Sequence, residues 1–539
     1  MKRPLLLLFA TALLLATGAD YAAEGRLWWA HVQFLADDEL QGRNVGAPGF
    51  QKAADYVAAQ FQKLGLKPAG TQGYFQPIQF DTYQVVREQS GIELVRNGQA
   101  QSLELGADAT ITPRGGSITS DAPMVFVGYG MSIPEARYDD LDGLDLRGKI
   151  AVYVNATGPV EAPLPVKSHY SSAVERWNAL RKAGAIGVAT IPNPRPQAAR
   201  SGADEEPAAR GGGGPRPPQI SFVLADPNLR EMAGQSIAMS ITQRGAPKFF
   251  AGAEHSFEEI QTLARESQPL PKFQLPATLR VNATVKHATA QSVNVVAMLP
   301  GSDRSLKKEY VVMSAHLDHL GVGRAVNGDN IYNGAMDDAS GIASVIEVAR
   351  LLRQLRRPPK RSVLFVAVTA EEKGELGSRY FAAHPTVPAR SIVADINLDM
   401  FLPLYPLKYL EVQGLEESTL GDTVRAAAKS LDVEAQRDNE PEQNRFIRSD
   451  QYSFIRRGIP ALAFKFGYAA GSPEEKIRKD WVKDRYHKPS DDLSQPVDTA
   501  AAAQFDRVIL ELIQRVANEQ QRPQWHENSF FRRFTPPAK

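Results

Sequence analysis

The strongest constraint on the fold of this chain is the alternation of apolar strands and helices after about residue 290. Short apolar runs at residues 310–314, 362–369, 392–398 and 461–466 predict strands, and residues 339–355 have the spacing of an amphipathic helix. Strands that are apolar on both faces are typical of sheets covered on both sides. We therefore predict an α/β fold, with a mixed, mostly parallel β-sheet covered by helices on both faces.

The length of 539 residues exceeds what one hydrophobic core usually organises, so a second domain is expected. Residues 120–250 have a separate pattern, which predicts two strands, a helix and another strand in that order. They predict an inserted α/β domain between an N-terminal part of the catalytic domain, 24–119, and its main part, 251–520. A C-terminal tail, 521–539, follows. Residues 194–218 are rich in Pro, Arg, Ala and Gly and are expected to form a mobile surface loop.

Residues 1–23 have the pattern of a signal peptide. Basic residues at positions 2 and 3 precede an apolar run from Leu5 to Ala16, and small residues follow it. This run is short for a membrane span, and no later stretch approaches 18 uninterrupted apolar residues. The chain is therefore expected to be periplasmic or secreted, with no stable membrane span after removal of the signal.

Charge and composition exclude several classes of function. The chain has 62 Lys and Arg against 61 Asp and Glu, so it lacks the basic excess of a nucleic-acid-binding protein. It has no cysteine, which excludes a catalytic thiol, a disulfide framework and thiolate metal sites. Any metal ion would have to be held by carboxylates and by some of the nine histidines.

A first candidate metal-binding segment follows the strand predicted at residues 310–314. His316 and Asp318 are two residues apart and would share a face of an extended chain. The Asp318 carboxylate could then accept the second ring N–H of a metal-bound His316. His319 would face elsewhere. Taken alone, this triplet also fits a purely structural role.

Two acidic pairs form the next candidate segments. Asp337 and Asp338 precede the predicted helix and could cap it. Asp337, however, lies in a glycine-flanked turn and could bridge two metal ions. Glu371 and Glu372 follow the most apolar strand, where adjacent acids are costly unless they are paired or metal-bound. One of them could ligate a metal while the other acts as a general base on bound water.

Asp399 and His487 complete the candidate set. Asp399 closes the strand predicted at 392–398, and His487 lies in a polar loop. Each residue alone also fits an ordinary turn or an exposed position. In combination, two histidines, three carboxylates and the spare Glu371 match a two-metal site with three protein ligands per ion, one of them shared.

The chain resembles the M28 family of metallopeptidases, in particular the bacterial leucyl-aminopeptidase-like group, with an inserted protease-associated domain. Weaker similarity at residues 40–49 and across the insert extends the resemblance over most of the mature chain. The resemblance implies a zinc-peptidase fold and an aminopeptidase that hydrolyses N-terminal residues from peptides. The matching motifs, in the family's order and at its spacing, are AHLDHLG (315–321), GAMDDASG (334–341), AEEKGELGS (370–378), NLDM (397–400) and YHKPSDD (486–492).

The resemblance also implies two Zn²⁺ ions, although histidine and carboxylate ligands admit Co²⁺ or Mn²⁺ as well. One ion would be held by His316, Asp337 and Asp399. The other would be held by Asp337, Glu372 and His487. Peptides would be the substrates, and the oligomeric state stays open.

Two catalytic roles follow from the same resemblance. Glu371 would be the general base for a hydroxide that bridges the metal ions, and Asp318 would orient His316. The peptide bond between Asp337 and Asp338 would be cis. One departure is visible at residues 449–451, where many relatives read Ser-Asp-His and this chain reads Ser-Asp-Gln, which puts substrate specificity in doubt.

Other functions remain open on the sequence alone. A carboxypeptidase or dipeptidase could use the same pair of zinc ions. A glutaminyl-cyclase-like acyltransferase would use one zinc ion. A receptor-like binding protein would have kept the fold and lost the catalytic activity. The intact set of metal ligands argues against this alternative. The sequence does not decide whether the insert covers the site, restricts substrate size or binds a partner.

Overall fold

The computed structural model describes the backbone of residues 7–194 and 220–537, and the side chains from residue 21 onward in those ranges. The predicted loop at 194–218 lies outside the described residues, apart from residue 194. The described chain forms two compact units. The first contains residues 7–78 and 291–537, and the second contains residues 79–194 and 220–290.

The second unit contains the described part of the insert predicted at 120–250 and extends beyond it at both ends. The chain passes into this unit after Ile78 and returns after Ala290. That this unit is a protease-associated domain stays a prediction.

Twelve α-helices occur in the described residues. They are α1 (Leu7–Leu35), α2 (Pro48–Lys63), α3 (Leu164–Ser171), α4 (Ala173–Lys182), α5 (Ala246–Phe250), α6 (Phe257–Arg265), α7 (Ser340–Gln354), α8 (Leu376–Ala383), α9 (Leu420–Lys429), α10 (Gln451–Ile455), α11 (Pro473–Asp484) and α12 (Thr499–Asn518).

The described residues also form 22 strands. They are β1 (Lys67–Pro68), β2 (Phe75–Val85), β3 (Gly91–Arg96), β4 (Gln99–Leu103), β5 (Ala109–Ile111), β6 (Ile118–Val127), β7 (Ser132–Ile133), β8 (Tyr138–Asp139), β9 (Ile150–Asn155), β10 (Gly187–Pro192), β11 (Ile220–Leu224), β12 (Ile237–Ile241), β13 (Lys272–Ala283), β14 (Val285–Leu299), β15 (Tyr310–His316), β16 (Gly321–Val326), β17 (Asp329–Tyr332), β18 (Ser362–Val368), β19 (Ile392–Asn397), β20 (Tyr409–Gln413), β21 (Glu434–Gln436) and β22 (Ala461–Phe466).

The first unit is built on a mixed sheet with the strand order β14-β18-β15-β19-β22-β20-β21. Strands β18, β15, β19 and β22 are parallel neighbours. The outer strands β14 and β20 pair antiparallel with β18 and β22. Because the carboxyl ends of parallel strands meet at one edge, the segments that follow β15, β18 and β19 come together there.

The side chains of β18 point alternately into two hydrophobic cores. Val363 and Phe365 belong to the larger core, which also contains residues of α1, α2, α7 and α12. Leu364 and Val366 pack on the opposite face with Phe381 of α8. Helices therefore cover both faces of the sheet, and the predicted fold class is confirmed.

Helix α1 packs tightly on the first unit. The indole of Trp28 is fully buried and donates a hydrogen bond of 3.0 Å to the Ser344 hydroxyl on α7. Gly25 lies so close to α12 that a Cβ atom there would be 2.2 Å from the Thr499 carbonyl oxygen. The helix continues past residue 23, where the predicted signal peptide ends, and export stays a prediction. In the described part of the chain, no helix has the length and apolar character needed to cross a membrane.

The second unit has a sheet of its own, with the strand order β4-β3-β13-β6-β9-β10-β12-β5. Strands β6, β9, β10 and β12 are parallel neighbours. Its core contains Val125, Tyr153, Trp177 and Leu180, of which the last two lie on α4. Its own strands and core make it an α/β unit in its own right.

Candidate metal centre

The candidate site lies at the carboxyl edge of the sheet in the first unit. His316 ends β15, Glu371 and Glu372 follow β18, and Asp399 follows β19. These three strands are adjacent and parallel, so the sheet brings together residues that are distant in the sequence. The side chain of His316 is buried, and that of Asp399 is 19% exposed.

Asp337 lies at the centre of the site. Its Oδ1 atom is 3.1 Å from Nε2 of His316, and its Oδ2 atom is 3.3 Å from Nε2 of His487. Asp399 Oδ1 lies 3.9 Å from the same nitrogen of His316. The two oxygens of one carboxylate therefore face two separate groups of ligands, which is the geometry that a bridging carboxylate requires.

Glu372 lies beside two imidazoles. Its Oε2 atom is 3.4 Å from Nε2 of His487, and its Oε1 atom is 2.7 Å from Nδ1 of His319. The expectation that His319 would face elsewhere is therefore wrong. Strand β15 ends at His316, so the alternation of an extended chain does not continue to His319, and the turn brings its ring into the site.

The donor set fits two metal ions. His316, Asp337 and Asp399 present ligand atoms within 4.8 Å of one another, and so do His319, Asp337 and Glu372. Nε2 of His319 is buried and makes no hydrogen bond with the described residues, whereas Nδ1 of His319 and Oε1 of Glu372 lie 2.7 Å apart. A buried polar atom without a partner is costly, and a cation bound to it would remove that cost.

The charges of the site also favour a cation. Burial alone would lower the pKa of His487, but the charges of Glu372 and Asp337 raise it to about 10. Burial alone would raise the pKa of Asp337, but His316 and His487 hold it well below its usual range. The carboxylates thus attract positive charge strongly, and two divalent ions would supply it.

Asp318 differs in detail from its predicted role. Nδ1 of His316 lies 3.0 Å from the backbone oxygen of Asp318, not from its carboxylate. The carboxylate instead accepts the backbone N–H groups of Glu371, at 3.1 Å, and of Glu372, at 3.3 Å. The main chain of Asp318 therefore orients His316, and its side chain fixes the turn that carries the two glutamates.

Asp338 caps helix α7, as its position suggested, and also binds backbone groups of two other segments of the site. Its carboxylate accepts the N–H of Gly341 in the first turn of α7, at 3.0 Å. It also accepts the N–H groups of His316 and Met400, at 3.3 and 3.2 Å. The peptide bond between Asp337 and Asp338 is cis, as the resemblance implied.

Asp491 positions the bridging Asp337. Its carboxylate is buried and accepts the N–H groups of Met336, at 2.9 Å, and of Asp337, at 3.1 Å. The side-chain amide of Gln495 donates to it at 2.7 Å. Asp491 belongs to the motif after His487, but its sequence position gave no signal that it reaches the turn before α7.

Arg43 connects the N-terminal segment to the site. Its guanidinium is fully buried and donates hydrogen bonds to the carbonyls of Leu317, Asn333 and Gly334, at 2.8, 2.6 and 3.0 Å, and also to that of Leu35. These carbonyls flank the segments that carry His316 and Asp337. The glycines at 42–49 predict a loop. They do not predict the contact between Arg43 and Leu317, which are 274 residues apart in the sequence.

Glu371 has the environment of a base. It is buried and lines the cavity of the site. Burial raises the pKa of Glu371 well above its ordinary value, and the charges of Glu372, Asp450 and Asp399 raise it further. A carboxylate with a raised pKa accepts a proton from water more readily than an exposed one does.

Gln451 is the departure from the Ser-Asp-His pattern. It is fully buried, and its side chain accepts a hydrogen bond of 2.8 Å from the side-chain amide of Asn397. It donates to the carbonyls of Arg445 and Phe446, at 3.0 and 3.1 Å. Gln451 therefore holds the segment that brings Arg445 and Arg448 to the cavity.

The fold and the site together define an α/β protein with a candidate metal centre at the carboxyl edge of its sheet. Residues 294–513 match the family described as Peptidase family M28, and all five predicted metal ligands and Glu371 lie within this range. This part of the chain is therefore a peptidase family M28 domain, as the motifs had indicated.

Similar proteins agree with this assignment. The chain is 30% identical over 223 residues to a probable leucine aminopeptidase 2 of Aspergillus oryzae, which covers 40% of this chain and 42% of that protein. It is 34% identical over 122 residues to Carboxypeptidase Q of Xenopus laevis, with coverage of 22% and 24%. The chain thus spans less than half the length of these curated relatives. A solved structure of an aminopeptidase from Aneurinibacillus sp. strain AM-1 shares the fold, with a TM-score of 0.53, 20% identity and coverage of 92% and 95%.

Proposed function

We propose that this protein is a di-zinc exopeptidase that removes N-terminal residues from peptides. The observation that carries the proposal is the position of Asp337, whose two oxygens face His316 on one side and His487 on the other. A carboxylate in this position is suited to join two metal ions into one centre. Membership of the domain in the M28 peptidase family supports zinc and peptide substrates.

The chain's own residues supply the rest of the chemistry. Zinc ions held by the five ligands would act as Lewis acids toward a peptide carbonyl and would lower the pKa of a water molecule. Glu371 takes the proton from the attacking water and passes it to the leaving amine. The Asp318 carboxylate fixes the backbone of Glu371, so that the base is held at the cavity.

A carboxypeptidase or dipeptidase is the second candidate, since a curated relative is named Carboxypeptidase Q. The test is hydrolysis of a small panel of peptides by the zinc-loaded full chain, with free or acetylated amino termini and free or amidated carboxyl termini. An aminopeptidase loses activity on acetylation and keeps it on amidation. A carboxypeptidase shows the reverse, and a dipeptidase requires both free termini. If no member of the panel is hydrolysed, the proposal of an exopeptidase is wrong.

We also propose that the protein is secreted or periplasmic, on the pattern of residues 1–23. Determination of the mature amino terminus after expression in a Gram-negative host tests this. A new amino terminus between residues 19 and 24, in an exported fraction, would support export. Retention of Met1 in the cytoplasm would contradict it.

A further inference from the structure

Side chains of opposite charge line the cavity of the site. Asp337, Asp399 and Glu371 of the metal centre are acidic. Arg445, Arg448 and Lys465 are basic, and none of the other described lining residues is a carboxylate. Two divalent ions at the metal centre would balance the acids, and the basic side chains would then be the remaining charges of the lining.

Arg445 is already neutralised by acids behind the cavity. Its guanidinium lies 2.7 Å from a Glu440 oxygen and 3.5 Å from an Asp438 oxygen. Arg448 has a different environment. It is half-buried and donates a hydrogen bond of 3.0 Å to the backbone oxygen of Gln443, and it forms no ion pair with any residue that the structure describes. Its positive charge is therefore available to a ligand in the cavity.

Lys465 brings a second positive charge close to the reacting centre. It lies on β22, and its Nζ atom donates a hydrogen bond of 2.7 Å to the backbone oxygen of Asp399. Nζ also lies 4.0 Å from the Asp399 carboxylate, whose charge a metal ion would share. Burial lowers the pKa of Lys465, and the charges of Arg445 and Arg478 lower it further, whereas those of Asp399 and Asp337 raise it.

The position of Lys465 limits which part of a substrate it can reach. Its Nζ atom lies 4.0 Å from the carboxylate of Asp399, a predicted metal ligand, and one extended residue spans only about 3.5 Å. A substrate group that contacts Lys465 would therefore belong to one of the two residues that flank the scissile bond, and Arg448 lines the same cavity. A carboxylate matches guanidinium and ammonium groups best, since both charge and hydrogen bonds are then satisfied.

We propose that Arg448, together with Lys465, binds a substrate carboxylate that lies within one residue of the scissile carbonyl. The substrate class is then acidic: dipeptides with a free terminal carboxylate, or peptides with an acidic amino-terminal residue. This inference rests on the proposed peptidase function and adds the substrate class of the same site.

Four substrates separate the two sources of the carboxylate. They are alanyl-alanine and its amide, and glutamyl-alanine amide and glutaminyl-alanine amide. For the zinc-loaded full chain, kcat/KM for the acid of at least one pair should exceed that for its neutral partner by about 10- to 100-fold, the range for a hydrogen bond to a charged group. Arg448→Met keeps the aliphatic stem and should reduce this ratio to near one. Arg457→Met, which changes an exposed arginine outside the cavity, should leave the ratio unchanged.

A binding measurement makes the result independent of turnover. Calorimetry measures the Kd of each of the four substrates for zinc-loaded Glu371→Gln, with and without Arg448→Met. The acid-to-neutral ratio of affinities then follows for each pair without any turnover. Acid-to-neutral ratios near one for both pairs, or ratios that Arg448→Met does not change in a folded and metal-loaded protein, would overturn the inference. Hydrolysis of the neutral amides without a preference for acids would leave the exopeptidase proposal intact and reject only the carboxylate subsite. Preferential binding of acids without hydrolysis of any peptide would support the carboxylate subsite and reject the exopeptidase proposal.

Discussion

Nδ1 of His319 lies 2.7 Å from Oε1 of Glu372, so the carboxylate of a predicted metal ligand is flanked by two imidazoles, His319 and His487. His319 is fully buried, and its Nε2 atom makes no hydrogen bond with the described residues. It therefore either ligates an ion itself or orients Glu372 when an ion is bound. Both arrangements make the affinity for the second ion depend on this ring.

The corresponding prediction concerns His319→Ala. We expect the affinity for one of the two zinc ions to fall by about 10- to 100-fold, while the other stays bound, because only one ligand group is disturbed. Competition with a chromophoric chelator measures both affinities. His526→Ala, a partly exposed histidine outside the site, is the control. Wild-type affinity for both ions in His319→Ala would show that the ring only fills space.

A second prediction follows from the shared position of Asp337. Removal of zinc by a chelator should abolish hydrolysis, and re-addition should restore it with close to two ions per chain. Asp337→Ala should lower the occupancy of both ions, whereas Asp399→Ala should lower that of one, because Asp399 belongs to only one of the two groups of candidate ligands among the described residues. Elemental analysis of the dialysed proteins checks this. A wild-type stoichiometry of one that Asp399→Ala leaves unchanged would favour the cyclase-like single-zinc site.

The fold and the metal ligands were accessible from the sequence for a physical reason. Each buried strand is a continuous apolar run, and His316, Glu371 and Asp399 stand where such runs stop. The supporting residues gave no such signal. Arg43 and Asp491 form hydrogen bonds with backbone groups that are 274 and 154 residues away in the sequence. The periodicity of a single sequence does not predict contacts between residues so far apart.

The side-chain directions were also beyond sequence reasoning. The predicted role of Asp318 assumed that the extended chain of β15 continues, but the strand ends at His316 and the carboxylate turns to the backbone of Glu371. The same early end of the strand brings His319 into the site. The alternation of side chains predicts which face of the sheet a residue within a strand points to. It does not apply beyond the strand ends, where functional side chains lie.

A third prediction concerns the buried guanidinium of Arg43. Arg43→Met should leave the carbonyls of Leu317, Asn333 and Gly334 without their donor, and each buried unsatisfied group costs about 1–3 kcal/mol. We expect the free energy of unfolding to fall by at least about 2 kcal/mol and the affinity for zinc to fall with it, since the same segments carry His316 and Asp337. Urea unfolding with and without zinc measures both effects. Arg26→Met, at an exposed position of α1, should change neither.

The fourth prediction is a pH dependence that Asp450 controls. Burial raises the pKa of Asp450 to about 7, and burial together with the charges of Glu372, Asp450 and Asp399 raises the pKa of Glu371. A general base works in its deprotonated form, so turnover rises as pH rises through the pKa of Glu371. Asp450→Asn removes one negative charge, lowers the pKa of Glu371 and moves the acidic limb of the kcat profile to lower pH. Asp55→Asn, on the exposed face of α2, should leave the limb in place. A limb that stays in place in Asp450→Asn as well would mean that another group controls it.

The last prediction separates the two neighbouring glutamates. Glu371→Gln keeps the size of the side chain and leaves all five predicted ligands intact, but it removes the group that accepts a proton from water. Turnover should fall by about 100- to 10,000-fold, since positioned acid–base catalysis contributes that much, and both zinc ions should remain bound. Glu372→Gln instead weakens a carboxylate that lies 3.4 Å from His487, so it should lower the occupancy of one ion, and added zinc should restore part of the activity. Metal analysis and single-turnover rates on the same preparations distinguish the two outcomes. Near wild-type turnover of Glu371→Gln with both ions bound would transfer the role of base to another carboxylate, with Asp450 and Glu375 as the next candidates.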